Sequence, residues 1–221
     1  MQSRKLGWVL VYALAMAYAE AAAVVYLRRV FGVVDLLRDR AAYDPRIAAI
    51  EIGRETSTLV MLLALGFAAG RSRQARLGFA LFAFGTWDVL YYVWLKVLLG
   101  WPESLTTQDV LFLIPLPWWG PVIAPVLVAV LLLALGALLV VRDDHGRPAR
   151  LGPLGWGMLA AGALLVLSAF MADALRALPA GAEELSRLKP GAFHWPLFIA
   201  GLGAMAFSVW RVGRSGARPV S

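Results

Sequence analysis

The chain has 221 residues, of which 61% are hydrophobic and 16% are charged, and its mean hydropathy is +0.72. A water-soluble domain is about 45–50% apolar and about 25% charged, so the composition excludes an ordinary soluble globule, and the lack of cysteine excludes a disulfide scaffold. The 21 Lys and Arg residues exceed the 14 Asp and Glu residues to give a net charge of +7. In a chain this apolar we interpret the excess as a membrane-topology signal and expect no nucleic-acid partner.

Six apolar stretches are long enough to cross a membrane, since a spanning helix needs about 20 apolar residues. They lie at about residues 7–27, 48–70, 76–99, 121–141, 153–175 and 193–211. We therefore predict an all-α fold, a polytopic membrane helix bundle of about six transmembrane helices. Residues 1–212 are expected to form this single domain and residues 213–221 a flexible tail, and strands are not expected in stretches of this length.

Basic residues concentrate on one side of the predicted bundle. The N-terminus and the connections after spans 2, 4 and 6 carry eleven basic residues against only Asp143 and Asp144. The basic residues are Arg4, Lys5, Arg71, Arg73, Arg76, Arg142, Arg147, Arg150, Arg211, Arg214 and Arg218. The positive-inside rule then predicts that both termini are cytoplasmic, and we expect an integral protein of a bacterial inner (plasma) membrane. In the first connection, arginines beside Asp35, Asp39 and Asp44 predict a short amphipathic interfacial segment.

The N-terminus also fits a different interpretation. Two basic residues, an apolar run over residues 6–16 and the small-residue triplet Ala17-Tyr18-Ala19 resemble a secretory signal peptide with its cleavage site. The apolar run resumes after Glu20 and continues to Leu27, which makes one span of about 20 residues. We therefore expect an intact first helix, whereas cleavage after Ala19 would leave five helices.

Three carboxylates fall inside predicted spans. Each such group costs about 2.5–3.5 kcal/mol at a helix centre and usually faces a cavity or a partner. With a rise of about 1.5 Å per residue, Glu20 in span 1, Glu55 in span 2 and Asp88 in span 3 reach a similar depth below the outer surface. We interpret them as the candidate catalytic residues of one pocket that opens toward the outer leaflet.

Further polar and aromatic residues are predicted to line this pocket as ligand-binding residues. They are Glu51, Arg54, Trp87, Tyr91, Tyr92, Asp109 and His194. Glu51 shares a helix face with Glu55, and Arg54 lies nearby as a counter-charge. Either tyrosine can donate a hydrogen bond to Asp88 from its own helix. The alternatives are structural: a solvated first turn for Glu51 and Arg54, and an interfacial anchor for His194.

The connection over residues 100–121 is apolar, and its three prolines between 115 and 121 prevent a continuous helix. We expect a re-entrant or interfacial lid over the pocket, with Glu103 and Asp109 at its mouth. A rigid packed loop with no chemistry is the alternative.

The histidine count limits the chemistry. Zinc catalysis normally uses several His or Cys ligands, and the chain has only His145 and His194, so no metal site and no cofactor are predicted. Neither a G-x-S-x-G elbow nor a P-loop is present. The carboxylates remain, and such groups can exchange protons, stabilise a cationic intermediate or bind a hard cation.

Four short motifs resemble a known family over residues 8–135. They are a Glu in the first span, Asp44-Pro45-Arg46 before the second, Glu55-Thr56 within it, and Trp87-Asp88-Val89-Leu90-Tyr91 in the third. This arrangement is similar to that of the emopamil-binding-protein family, the EXPERA-domain proteins. In that family a bundle of membrane helices encloses a lipophilic pocket with acidic residues, and the enzyme members shift a sterol double bond by protonation and deprotonation.

The resemblance implies that Glu20, Glu55 and Asp88 are the pocket carboxylates. The chain departs from the family in span 4, where Trp118-Trp119-Gly120-Pro121 stands in place of a polar Asn near Trp, and spans 5 and 6 exceed the family's usual number of helices. We therefore carry over the architecture and the acidic pocket, and not sterol isomerisation itself.

Three functions follow as hypotheses, and whether the protein is an enzyme stays open. In the first, the pocket binds an isoprenoid or sterol-like lipophilic molecule and can isomerise it, with Glu55 and Asp88 as proton donor and acceptor, tuned by Glu20. The second is ion or proton handling through the oxygen-rich set Glu20, Glu51, Glu55, Asp88 and His194. The third is an accessory role in which the acids pair with basic residues of a partner membrane subunit.

Overall fold

The structure is a computed structural model that describes residues 1–31, 44–186, 188 and 190–214. Within these ranges, six helices are long and apolar enough to cross a membrane, which confirms the predicted helical bundle with six helices of spanning length. The six are α1 (Lys5–Phe31), α2 (Pro45–Ala69), α3 (Arg73–Leu99), α4 (Ile123–Asp144), α5 (Gly152–Phe170) and α8 (Trp195–Arg214), and two short helices, α6 (Ala172–Ala177) and α7 (Ala182–Ser186), lie between the last two.

Some sequence predictions fall partly or wholly outside this description. The acidic residues Asp35 and Asp39 of the predicted interfacial segment lie outside the described residues, as does 215–221 of the predicted tail. The candidate cleavage site at Ala17–Ala19 lies within the continuous helix α1. The fifth predicted span ends earlier than expected, at Phe170, and α6 follows it.

Local sequence signals fix the ends of the helices that frame the site. Asp44 caps α2, where its Oδ1 accepts a hydrogen bond from the Arg46 N–H at 2.8 Å and Pro45 occupies the first helical position. Ser72 caps α3 by accepting from the Ala75 N–H at 3.0 Å. Gly100 ends α3 with a φ of +70°, a left-handed conformation that glycine adopts without a Cβ clash.

Small residues let the helices approach closely. Ala13 and Ala17 of α1 are fully buried in the core around α3. Between α3 and α4, a Cβ atom added to Gly85 would lie 2.3 Å from the Ala129 carbonyl oxygen, and one added to Gly136 would lie 2.4 Å from the Phe82 nitrogen. Membrane helices associate largely through such close packing, so α1, α3 and α4 form one tightly packed layer.

The connection between α3 and α4 forms a β-hairpin that the sequence analysis did not expect. β1 (Gln108–Phe112) and β2 (Trp118–Pro121) pair antiparallel, with Asp109 opposite Gly120 and an irregularity between Val110 and Phe112. The prolines do prevent a helix here, as predicted, and two of them lie in the loop between the strands. No strand was predicted for this segment, because pairing between two short strands leaves little periodic signal in the sequence.

The start of α1 lies beside the ends of α2 and α4, so the bundle has two distinct ends. At the N-terminal end, the Gln2 N–H donates to Asp144 at the end of α4 at 2.6 Å, and Lys5 Nζ donates to the Ala69 carbonyl at the end of α2 at 2.7 Å. At the opposite end, here called the hairpin end, Gly120 of β2 lies against Phe170 at the end of α5.

Candidate functional site

A cavity of about 110 Å³ lies at the hairpin end, bounded by α1, α2, α3, the hairpin, the start of α4 and the end of α5. We call it the hairpin-end cavity. Eight of the residues singled out from the sequence line it: Glu20, Arg54, Glu55, Trp87, Asp88, Tyr91, Tyr92 and Asp109. The remaining lining residues are apolar or aromatic. The chain thus brings carboxylates from three helices and one strand to a single space, and their functional roles stay predictions.

Arg54 holds two of the predicted carboxylates. Its guanidinium forms an ion pair with Glu20 and donates from Nε to Glu51 Oε2 at 2.9 Å. Glu20 also accepts from Trp87 Nε1 at 2.9 Å and from Thr58 Oγ1 at 3.4 Å. Glu20 is therefore fully engaged by donors from α2 and α3, and Glu51 joins this network through Arg54 without lining the cavity.

Glu55 anchors the hairpin to α2. Its buried carboxylate accepts from the Leu113 N–H, at 2.9 Å to Oε2 and 3.2 Å to Oε1. Leu113 directly follows β1, where the chain leaves the strand ladder and its N–H needs another acceptor. Glu55 thus closes the cavity by holding the hairpin over it, a contact that no local sequence pattern indicates.

Asp109 is buried beneath the hairpin and is bound by Tyr92. The Tyr92 hydroxyl donates to Asp109 Oδ2 at 3.0 Å. The expectation that Tyr92 donates to Asp88 is therefore wrong, because the hairpin places a second buried acid within its reach. Burial raises the pKa of Asp109 to about 6. The Tyr92 hydroxyl, the positive charge of Arg28 and a backbone N–H act in the opposite direction but do not cancel the effect of burial.

Asp88 differs from the other acids of the cavity. Throughout the described part of the chain, no donor forms a hydrogen bond or an ion pair with its carboxylate. The Tyr91 hydroxyl likewise has no hydrogen-bond partner among these residues, and its ring packs against Tyr92 at 5.3 Å. Asp88 and Tyr91 are therefore left free to contact a bound molecule, and among the described lining residues the buried Trp118 Nε1 also has no hydrogen-bond partner.

Besides Glu51, two predicted residues do not line the cavity. His194 lines a separate small space with Asp173, and its buried Nε2 atom has no hydrogen-bond partner among the described residues. Glu103 lies with an apolar groove on the other side of Tyr92. Glu103 lies in the loop after α3, and His194 lies at the end of the loop before α8. The sequence does not determine the paths of these loops.

The aromatic wall of the cavity was missed by the sequence analysis. Trp118 stacks on Phe170 with ring centroids 6.0 Å apart, and Phe112 packs against Trp118 at 5.3 Å. The hairpin turns Trp118 toward the cavity. The run of aromatic residues and prolines around Trp118 is the only sequence feature that could have indicated this wall. The direction in which the Trp118 ring points depends on strand pairing.

In the part of the chain that the structure describes, no group of three or more His, Cys, Asp or Glu side chains is arranged to hold a metal ion. Comparison of the sequence and fold with known protein families, curated proteins and solved structures found no match. The site is thus described by its own chemistry: four carboxylates, one guanidinium and a wall of aromatic rings. Such a set can bind a cation, exchange protons or receive the polar end of an apolar molecule.

Proposed function

We propose that the chain is an integral membrane protein whose hairpin-end cavity binds the polar or cationic end of an isoprenoid or sterol-like lipophilic molecule. The distribution of basic residues supports cytoplasmic termini in a bacterial inner membrane, with the cavity toward the outer leaflet. The six apolar helices support the membrane location. The binding function is carried by one observation: among the described residues, the Asp88 carboxylate has no hydrogen-bond or ion-pair partner, and it lies in a cavity that these residues line with four acids and one Arg.

A cationic group fits this cavity for two reasons. Carboxylates outnumber the guanidinium, so the lining favours a positive charge in its centre. Trp87 and Tyr91 add aromatic faces, which attract cations within about 6 Å of the ring centre. A molecule that carries a positive charge, or develops one during a reaction, would be stabilised against Asp88.

The volume limits which part of the molecule enters. Ligand pockets usually measure about 300–1,000 Å³, whereas this cavity measures about 110 Å³. It therefore receives one end of a lipophilic molecule, and the remainder lies elsewhere.

Proton transfer is the reaction that such a site supports. One carboxylic acid, assigned to Glu55, gives its proton to an alkene carbon, so that a C–H bond forms and the neighbouring carbon becomes cationic. A second carboxylate, assigned to Asp88, removes a proton from the next carbon, and the double bond moves by one position. The alkene keeps its number of protons, and the proton on Asp88 exchanges through water back to Glu55 before the next turnover. The resemblance to EXPERA-domain proteins and the position of both acids on one cavity support this assignment.

Binding is tested with a lipophilic amine, N,N-dimethyldodecylamine, added to vesicles that contain the purified protein. We expect saturable binding that weakens at least tenfold in Asp88→Asn, because loss of one partner of a desolvated charge pair costs about 2–5 kcal/mol. Asp173→Asn is the matched control, since Asp173 lies outside the cavity, and it should bind as the wild type does. Equal binding by the wild type and Asp88→Asn contradicts the proposal.

Isomerisation is tested separately in deuterated water with an isoprenoid alkene. Protonation by the protein would introduce one solvent deuteron into the isomerised product, and Glu55→Gln should abolish the reaction. Intact amine binding without deuterium in any product would reject the reaction and retain the binding function.

The other two hypotheses have weaker support. A cation relay needs accessible carboxylates, but Glu20 and Glu51 are both bound to Arg54, and His194 lies outside the cavity. An accessory subunit would present its acids to a partner helix, whereas Glu55 and Asp109 are buried within this chain.

A further inference from the structure

A second space lies beside the hairpin-end cavity, along α3 and the start of α4. We call it the side groove. It measures about 430 Å³, and its walls include Val89, Val93, Val97, Val122 and Val126. Val93 and Val97 are exposed on the surface of the bundle, so the groove opens on the side of the helices that faces lipid in a spanning protein.

A single side chain, Tyr92, lines both spaces. Its ring is buried, packs against Tyr91 at 5.3 Å and Trp101 at 6.4 Å, and is held by the hydrogen bond to Asp109. The groove and the cavity are therefore neighbours, separated by one aromatic ring whose position depends on one hydrogen bond.

Besides Tyr92, the polar residues of the groove are Lys96, Glu103 and Ser104. Glu103 and Ser104 are exposed in the loop after α3, at one end of the groove. Lys96 Nζ donates to the Gly100 carbonyl at 3.0 Å and to the Pro102 carbonyl at 2.8 Å. Because the Lys96 ammonium is turned toward the end of α3, the part of the groove between the valines is apolar. It suits a hydrocarbon chain rather than a charged lipid headgroup.

We propose that the side groove holds the apolar chain of the molecule whose polar end binds in the hairpin-end cavity, and that the molecule passes between the two spaces at Tyr92. This inference rests on the proposed function. The cavity alone is smaller than ordinary ligand pockets, whereas the two spaces together fall within their range of about 300–1,000 Å³. The ligand class is thus an amphiphile with one apolar chain, which enters from the side of the bundle.

The test compares two amines on the wild type and on a variant with a filled groove. The probes are N,N-dimethylhexylamine and N,N-dimethyldodecylamine, which share a headgroup and differ in chain length. Val93→Trp places a large ring in the groove at a position that is 48% exposed, so the fold tolerates it. We expect at least tenfold weaker binding of the dodecyl amine and less than a twofold change for the hexyl amine.

Two controls make the comparison specific. Partitioning of each amine into lipid is the same for every variant when the vesicles have one composition, so it cancels between variants. Val60→Trp is the matched substitution, because Val60 is a 56% exposed valine of α2 that lies outside the groove, and it should leave both affinities unchanged. If Val93→Trp does not fold, Val97→Trp, at a position 67% exposed, replaces it.

The outcomes separate the two proposals. If Val93→Trp binds the dodecyl amine as tightly as the wild type does, and this binding still depends on Asp88, the proposed role of the side groove is wrong and the proposed function stands. The absence of saturable binding of either amine to the wild type overturns the proposed function itself.

Discussion

At the N-terminal end of the bundle, Asp144 accepts hydrogen bonds from the backbone N–H groups of Gln2 at 2.6 Å and Ser3 at 2.7 Å, and Asp143 accepts one from the Gln2 side chain at 2.7 Å. At the hairpin end, Asp88 accepts none from any described residue. Acids of the first kind join chain segments that are distant in sequence. Asp88 forms no such contact with the described residues. Because a carboxylate within a spanning helix costs free energy, its presence there favours contact with a bound molecule.

The two ends also differ in where their acidic residues lie along the helices. Asp143 and Asp144 lie at the end of α4, where the helix stops. Glu20, Glu55 and Asp88 lie well inside helices that are long enough to span a membrane. Among the described residues, only Glu20 and Glu55 of these three have hydrogen-bond donors. The hairpin end therefore places Asp88, an acid without a donor among the described residues, beside Glu20 and Glu55, which both have donors.

The largest expected effect comes from removal of the internal cation. In Arg54→Met, Glu20 and Glu51 lose their counter-charge while they remain partly buried, with side chains of Arg54 and Glu20 only 28% and 12% exposed. Loss of one partner of a buried pair costs about 3–5 kcal/mol, so the free energy of unfolding in detergent micelles should fall by about 3 kcal/mol. Glu20→Gln combined with Arg54→Met should recover part of this loss. Wild-type stability in the single variant would show that the pair contributes nothing.

An effect that at most equals the first is expected from pH at the edge of the cavity. The pKa of Asp109 is about 6 in the folded protein and about 3.9 in an unfolded chain, so folding favours its protonated form. Its contribution to stability is fully present below about pH 4 and is lost as the pH rises through 6, by up to about 3 kcal/mol. Thermal unfolding of the wild type and of Asp109→Asn between pH 4 and 8 measures this. If the two curves are parallel, Asp109 does not titrate as described.

The smallest effect on binding is expected at the N-terminal end. Asp144→Ala removes the acceptor for two backbone N–H groups, so the Tm in detergent should fall, though by less than in Arg54→Met. Affinity for N,N-dimethyldodecylamine should not change, since Asp144 does not line the cavity. Weaker amine binding in this variant would contradict the claim that the ligand binds at the hairpin end and not at the N-terminal end.

The sequence predicts the six spanning helices because hydrocarbon imposes one length and one composition on every span. It also selects most of the polar residues that line the cavity, because acids are rare enough in spans to be conspicuous. The partners of these acids could not be predicted. Tyr92 binds Asp109 rather than Asp88, and Leu113 binds Glu55, since both contacts depend on a hairpin formed by pairing between distant residues. His194 lies apart from the cavity because it follows a loop, whose path the sequence does not determine.

The central claim is that the charged end of a lipophilic molecule lies against Asp88. Solid-state NMR on vesicles can measure the distance from the nitrogen of ¹⁵N-labelled N,N-dimethyldodecylamine to the carboxyl carbon of ¹³C-labelled aspartate, with Asp88→Asn used to assign the signal. The account predicts a separation within about 4–6 Å, the range in which opposite charges interact strongly, and loss of this signal in the variant. A bound amine whose nitrogen is near no aspartate, or whose signal is unchanged in Asp88→Asn, would contradict it.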